Sequence, residues 1–152
     1  MIAIDQMQST RVLLAGLGDG FGNSIDKIPA GFGNHPLWNL GHLVVTTGLL
    51  VYRLSGLDLG MPESMVEDFG KGSDPKTWTA THSWADIKQQ LLAQPAQLRK
   101  DWDEGLFQEF KRYETSIGIV LENVEQAITY NTFHEGTHLG YALAQRKALA
   151  GA

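Results

Sequence analysis

Residues 36–52 read PLWNLGHLVVTTGLLVY, and this stretch carries no formal charge. Pro36 suits the first turn of a helix, where its missing N–H has no helical partner to lose. Gly56 follows Arg53 in the position of a C-terminal cap, so the stretch predicts a helix from Pro36 to Gly56. A helix that is apolar on nearly all sides belongs in the middle of a helical bundle. The one imidazole of this helix, His42, is therefore expected to be buried.

Three further segments show the spacing of amphipathic helices. The first covers roughly residues 3–18. The next begins after the capping residue Ser83 and ends before Gly105, and Pro95 inside it predicts a kink because its ring clashes with the preceding turn. The last runs from about residue 121 to residue 149, with acidic residues near its start and basic residues near its end, as the helix dipole favours.

The connections between these helices differ in length and composition. Residues 16–33 are rich in glycine, and residues 57–82 show no helical stripe. Connections as long as 57–82 often act as lids or crossovers. The β-branched segment 115–120 is expected to be extended. The sequence thus predicts an all-α protein, a four-helix bundle with a long connection between its second and third helices, folded as one domain over residues 1–152.

Composition narrows the classes of function. Hydrophobic residues make up 43% and charged residues 19%, which is typical of a globular chain rather than a disordered one. The net charge of −5 argues against nucleic-acid or anionic-membrane partners, since both need a basic face. The absence of cysteine excludes disulfide scaffolds, thiolate zinc sites and cysteine nucleophiles. No signal peptide or spanning segment is evident, so a cytoplasmic location is expected.

The sharpest chemical motif is HEGTH at residues 134–138. His134 and His138 are four residues apart, so they lie on one helix face and can chelate one ion. The alternative is a pair of surface histidines on an amphipathic helix. The motif also occurs in zincin proteases, but these need a further ligand downstream, and residues 139–152 contain no His, Asp or Glu.

The third ligand must then come from upstream, and His42 is the natural candidate because a buried imidazole needs a hydrogen-bond partner or a metal. A His42 satisfied by a backbone carbonyl or a tyrosine is the equal alternative. His35 and His82 stand beside helix starts, where capping or exposure is expected. Glu135 is either a hydrogen-bonding group or catalytic base, or an outward surface residue. Side chains one turn from the ligands are expected to orient them, line a pocket or simply pack; these are Trp38, Tyr130, Asn131 and Tyr141.

The motif WNLGHL at residues 38–43, together with FHEGTHLGY at residues 133–141 and FGKGS at residues 69–73, resembles the DinB/YfiT-like family. The resemblance spans nearly the whole chain. It implies a four-helix bundle of unusual connectivity, often a homodimer, and a divalent ion, commonly nickel or zinc, held by His42, His134 and His138. Characterised relatives include transferases and an isomerase that use low-molecular-weight thiols such as bacillithiol or mycothiol.

Three neutral imidazoles leave an open coordination position, at which a water or a thiol becomes a nucleophile at neutral pH. The first hypothesis is therefore a metal-dependent transferase or hydrolase that acts on a small electrophile, with a thiol as cosubstrate in the transferase case. A non-catalytic metal- or ligand-binding bundle is the second hypothesis. A structural dimer with a vestigial site is the third.

Overall fold

The computed structural model describes residues 1–78 and 80–151, and it is helical over most of that length. Five α-helices and one two-stranded hairpin follow in the order α1 (Ile2–Phe21), α2 (Pro36–Thr47), α3 (Glu63–Phe69), α4 (Trp84–Asp103), β1 (Tyr113–Glu114), β2 (Val120–Leu121) and α5 (Val124–Ala150). The expectation of an all-α class is confirmed, since β1 and β2 form only a two-residue antiparallel ladder.

Helix α2 lies at the centre of the molecule. It packs against α4 and α5, and α1 packs against the same two helices and also contacts α2. Nearly every residue of α2 is buried, as its uncharged sequence predicts. The core around α2 includes Leu40 and Leu43, with Leu91 of α4 and Phe69 of α3 packed against them. Because α2 is buried on nearly all sides, a polar side chain that it carries, such as that of His42, is buried too.

The helix predicted from Pro36 to Gly56 changes its hydrogen bonding before it ends. The α-helical part gives way to a π-helical turn at Gly48–Tyr52 and a 3-10 turn at Arg53–Ser55. Gly56 then adopts φ 72°, a left-handed conformation that glycine reaches without a steric penalty. The predicted end of the helix is confirmed, and the π-helical turn was not foreseen.

Two predicted connections are corrected. Residues 57–82 are not free of helix, because α3 occupies Glu63–Phe69 and packs on α2. Residues 115–119 are not extended throughout, because they form the turn between β1 and β2. Both errors concern elements shorter than about two helical turns, which bury too few residues to show a period in the sequence.

The first helix extends further than predicted, because α1 continues through the start of the glycine-rich segment 16–33 to Phe21. The other boundaries agree closely with the sequence. Ser83 caps α4 by accepting a hydrogen bond from the backbone N–H of Asp86, and α4 continues through Pro95. The kink at Pro95 stays a prediction. Helix α5 begins after Asn123, which caps it, rather than at residue 121. Within the described residues, no helix combines the length and the apolar character that crossing a bilayer would need.

Candidate metal centre

Three imidazoles from two helices meet in the interior. His42 comes from the buried helix α2, and His134 and His138 come from one face of α5, which packs against α2. One nitrogen from each ring lies within 4.8 Å of the others. The ring centroids of His134 and His138 are 4.4 Å apart, and that of His42 is 5.2 Å and 4.9 Å from them. The predicted convergence of these three side chains is confirmed.

Hydrogen bonds from neighbouring residues orient two of the rings. His42 Nδ1 is 2.7 Å from the carbonyl oxygen of Phe69, a pure acceptor, so this nitrogen donates its proton. His138 Nδ1 is hydrogen-bonded to Oδ1 of Asn39, whose Nδ2 donates to the His138 carbonyl oxygen at 3.1 Å. In both rings the lone pair is therefore on Nε2. A proton held on Nδ1 by a carbonyl is the usual arrangement of a metal-ligating histidine.

The third ring carries the clearest sign of a missing partner. His134 Nδ1 is buried, and within the described part of the chain it has no hydrogen-bond partner. Leaving such a group unpaired costs about 1–3 kcal/mol. A tetrahedral ion about 2.1 Å from each nitrogen requires ligand nitrogens about 3.4 Å apart. Three imidazole nitrogens are a donor set that suits such an ion. At a spacing of up to 4.8 Å, the rings would have to come closer together to bind it.

The three imidazoles are kept neutral. Burial is the main cause that lowers the pKa of each ring, to about 4 for His134 and to about 3 for His138. Repulsion between two protonated rings would be unfavourable and lowers both pKa values further, and the Arg11 guanidinium adds to the effect at His134. The nearby Lys71 ammonium acts in the same direction on His42. Neutral imidazole is the form that binds a metal, so no proton needs to be displaced from these rings at pH 7.

The segment FGKGS at residues 69–73 closes one side of the cluster. Phe69 supplies the carbonyl that orients His42. Trp38 stacks on His42 with ring centroids 4.8 Å apart and planes at 9°, and its Nε1 donates to Ser73 Oγ at 2.8 Å. The tryptophan thus fixes the plane of the imidazole and is itself fixed by the segment that follows α3.

A cavity of about 300 Å³ lies beside His42 and His134. Most of its lining surface is apolar, its hydroxyl groups come from α2, from the β1–β2 hairpin and from Tyr130 of α5, and two cations line it. The lining residues other than the two histidines are Thr46, Leu49, Leu50, Arg53, Leu54, Lys71, Tyr113, Thr115, Ser116 and Tyr130. A larger cavity of about 860 Å³ lies along α4, but none of its described lining residues is a histidine. The smaller cavity is therefore the place for a reactant.

The residues predicted to surround the ligands divide into two groups. Trp38 contacts His42, and Tyr130 lines the cavity. Asn131 instead donates to Thr47 Oγ1 at 2.9 Å and to Glu135 Oε1 at 3.2 Å. Tyr141 is partly exposed and packs edge-on against Phe32.

Glu135 is fully buried, so the outward surface role considered for it is wrong. Its Oε1 lies 2.7 Å from the guanidinium of Arg11, which is also fully buried. Burial raises the pKa of this carboxyl, and the charge of Arg11 opposes the rise. Its described polar contacts are thus with Arg11 and Asn131, and a catalytic role for Glu135 stays a prediction.

The two remaining histidines lie outside the cluster. His35 caps α2, because its Nδ1 accepts a hydrogen bond from the backbone N–H of Trp38 at 3.0 Å, as predicted. His82 lies 2.6 Å from Asp68 Oδ2.

Sequence reasoning missed two residues that support the site. Asn39 lies one turn before His42 on α2, and a carboxamide in an otherwise apolar helix was the available signal. Arg11 lies on the apolar stripe of α1 between Met7 and Leu14, where a charged residue signals a buried partner.

A helical core in which two helices bring three neutral histidines beside a small cavity defines a candidate histidine metal centre. The chain belongs to the DinB superfamily, whose family model matches residues 6–142. All three histidines fall within the matched part, and the family resemblance drawn from the sequence is confirmed. Comparison with curated proteins gives no match.

Proposed function

We propose that the protein is a metal-dependent enzyme that holds a divalent ion through His42, His134 and His138. The ion serves a transferase or hydrolase reaction on a small electrophile, with a low-molecular-weight thiol or water as the nucleophile. One observation carries the proposal: three imidazoles, each with its pKa lowered by burial, converge beside a cavity of about 300 Å³.

The chain's own residues prepare the site for such an ion. Asn39 and the Phe69 carbonyl hold the Nδ1 protons of two rings, so both Nε2 lone pairs are free to bind. The Thr46 hydroxyl, 3.2 Å from His42 Nε2, is a neutral donor that an ion displaces without a charge penalty. A divalent ion with an open position lowers the pKa of water to about 7 and stabilises a thiol as thiolate. The leucines of the cavity offer an apolar surface beside the histidines.

Several finer proposals accompany this function. The pairwise packing of α1, α2, α4 and α5 supports a four-helix bundle of the DinB/YfiT-like type. Nickel or zinc as the ion, a thiol cosubstrate, a homodimer and a cytoplasmic location follow from the family resemblance and from the sequence, and they stay predictions.

Elemental analysis tests the proposal. Untagged protein purified without nickel resin is expected to contain about one equivalent of a divalent metal, and His42→Ala and His138→Ala are each expected to lose it. His35→Ala is the matched control, because this buried histidine caps α2 outside the cluster. A parent protein that binds no metal after reconstitution would contradict the site.

A non-catalytic metal- or ligand-binding protein is the second candidate, because no carboxylate is present among the described residues that line the cavity. A measurement of catalytic turnover distinguishes the enzyme from the non-catalytic binding protein. The metal-loaded protein is expected to accelerate the reaction of cysteine with chlorodinitrobenzene, and His134→Ala is expected to abolish the acceleration. Metal binding with no acceleration across thiols and electrophiles would favour the second candidate.

A further inference from the structure

The entrance of the small cavity has a charge opposite to that of the molecule. The chain carries a net charge of −5, yet Arg53 and Lys71 line this cavity, and no Asp or Glu does so among the described residues. We call these two side chains the cationic mouth. A cleft whose charge opposes the net charge of the protein attracts ligands of the sign that the rest of the surface repels.

The two cations of the mouth differ in whether they already form an ion pair with an acidic side chain. Lys71 follows α3 in the FGKGS segment, and the described part of the chain offers it no ion pair within 4.0 Å. Its positive charge nevertheless contributes to lowering the pKa of His42. Arg53 is 3.0 Å from Glu63, but both side chains are largely exposed, so water weakens this pair. Lys71 is thus fully available to a ligand, and Arg53 partly so.

Most of the surface that lines the cavity is apolar, and three leucines contribute to it. Leu49 and Leu50 lie in the π-helical turn of α2, and Leu54 lies in the 3-10 turn that follows. A π-helical turn is a common means of adapting a helix to a functional site. Here the π-helical turn and the 3-10 turn that follows it bring three leucine side chains to the lining of the cavity. A ligand that fills this cavity therefore contacts cations, hydrocarbon and imidazoles within one space.

We propose that the cavity binds an amphiphilic anion, with its anionic group at Lys71 and Arg53 and its apolar chain against the leucines. The reacting end of the ligand then lies at His42 and His134. This last part rests on the proposed function, whereas the preference for an anion with an apolar chain rests on the cavity alone.

Two thiols that differ in one end group test the preference. Cobalt(II)-loaded protein is titrated with mercaptohexanoate and with mercaptohexanol, and the thiolate-to-cobalt charge-transfer absorption reports binding. The carboxylate is expected to bind about three- to tenfold more tightly than the alcohol at low ionic strength, as for a partly exposed ion pair. Raising the salt concentration is expected to reduce the difference, because salt screens exposed charges.

Three variants of exposed residues test whether the preference for the carboxylate arises from the cationic mouth. Lys71→Met is expected to lower the affinity for mercaptohexanoate about threefold or more and to leave the affinity for mercaptohexanol unchanged. Glu63→Gln is expected to raise the affinity for mercaptohexanoate, since it frees Arg53 for the ligand carboxylate. Lys76→Met is the matched control, because this lysine lies in the same connection but lines a different cavity.

Equal affinities for the two thiols, an equal effect of Lys71→Met on both, or no absorption change with either thiol would overturn the inference. A failure of the proposed metal site gives a different result from a failure of this inference, because the protein would then take up no cobalt. In that case calorimetry with the same two thiols on metal-free protein still decides the preference: tighter binding of the carboxylate supports it, and equal or absent binding overturns it.

Discussion

Two of the three imidazoles in the cluster are oriented by residues that lie far from them in the sequence or outside the HEGTH motif. Asn39 and the Phe69 carbonyl fix the tautomers of His138 and His42, and Trp38 fixes the plane of His42. The HEGTH motif predicts that two rings share a helix face, but it does not determine which nitrogen of a ring carries the proton, and these contacts do so for His42 and His138. Ligand spacing is therefore visible in the sequence, and ligand orientation is not.

Replacing Asn39 separates these two contributions. Asn39→Leu removes the acceptor that holds the Nδ1 proton of His138, and loss of such a partner typically weakens metal binding about 10- to 100-fold. Asn39→Asp keeps an acceptor at the same place and is expected to retain tight binding. Competition with a chromophoric chelator measures the affinities. If the two variants bind metal equally, Asn39 does not orient His138.

The same reasoning shows why Asn39 and Arg11 escaped sequence analysis. Asn39 meets a residue 99 positions away, and Arg11 meets one 124 positions away. Such contacts leave no local period or spacing. What the sequence shows is only an anomaly, a carboxamide on an apolar helix and a guanidinium on an apolar stripe. Each anomaly indicates that a buried partner exists without saying which residue it is.

At the scale of elements, long helices follow from the sequence and short ones do not. The capping residue Ser83, the left-handed Gly56 and the uncharged run of α2 each set a helix boundary that the structure reproduces. Helix α3 spans only Glu63–Phe69, and only Met65 and Phe69 of it are buried. Two buried residues do not make a recognisable stripe. Yet α3 supplies the carbonyl that orients His42, so the element hardest to predict is essential to the site.

The contact between α2 and α3 is testable at Gly41. A Cβ added there would lie 2.3 Å from the Phe69 ring, so Gly41→Ala must push α3 away from α2. We expect a loss of about 1–3 kcal/mol in the free energy of unfolding. Metal affinity is expected to fall as well, because the Phe69 carbonyl moves with its ring. Urea unfolding and metal competition measure the two effects.

Gly140→Ala is the control for this substitution. Gly140 lies inside α5, and a Cβ added there would have no heavy atom within 4 Å among those the structure describes. Alanine is favoured over glycine inside a helix by up to about 1 kcal/mol, so this variant is expected to be equal to or more stable than the parent. Similar losses in both variants would mean that close approach of α3 is not what requires glycine at position 41.

At the scale of the whole molecule, one buried guanidinium connects the four long helices. Arg11 of α1 donates to Thr47 Oγ1 at 2.9 Å and to the Leu43 carbonyl at 3.2 Å, both on α2. It also pairs with Glu135 of α5 and contacts the Leu91 carbonyl of α4 at 3.5 Å. Leu43 follows His42 and Glu135 follows His134, so this network sets the separation of the two helices that carry the ligands.

Removing one member of this buried pair is expected to be costly. Arg11→Met leaves the Glu135 carboxylate buried and unpaired, which destabilises a protein by about 3–5 kcal/mol. In the Arg11→Met/Glu135→Gln double variant no charge is left unpaired, so part of the stability is expected to return. Urea unfolding of the single and double variants measures both. A double variant that is no more stable than the single one would show that the unpaired charge is not the cause.

The metal-free protein is expected to lose stability in mild acid because of the same histidines. The pKa values of about 4 for His134 and about 3 for His138 lie below the ordinary value of 6.5. Above pH 6.5 the rings are neutral in both the folded and the unfolded states and contribute nothing to the pH dependence. Below it the unfolded chain binds protons that the folded protein does not, so the free energy of unfolding falls until the pH reaches the folded-state values.

Urea unfolding with a chelator present, at about pH 7.5 and about pH 5, measures this loss, which is on the order of 1–2 kcal/mol for each ring. The His134→Gln/His138→Gln variant lacks both titrating groups but keeps every paired carboxylate, so its stability is expected to change less between the two pH values. Since the acid-induced loss arises from burying neutral imidazoles, an equal loss in parent and variant would mean that other groups cause it and that the folded protein does not resist protonation of these two rings.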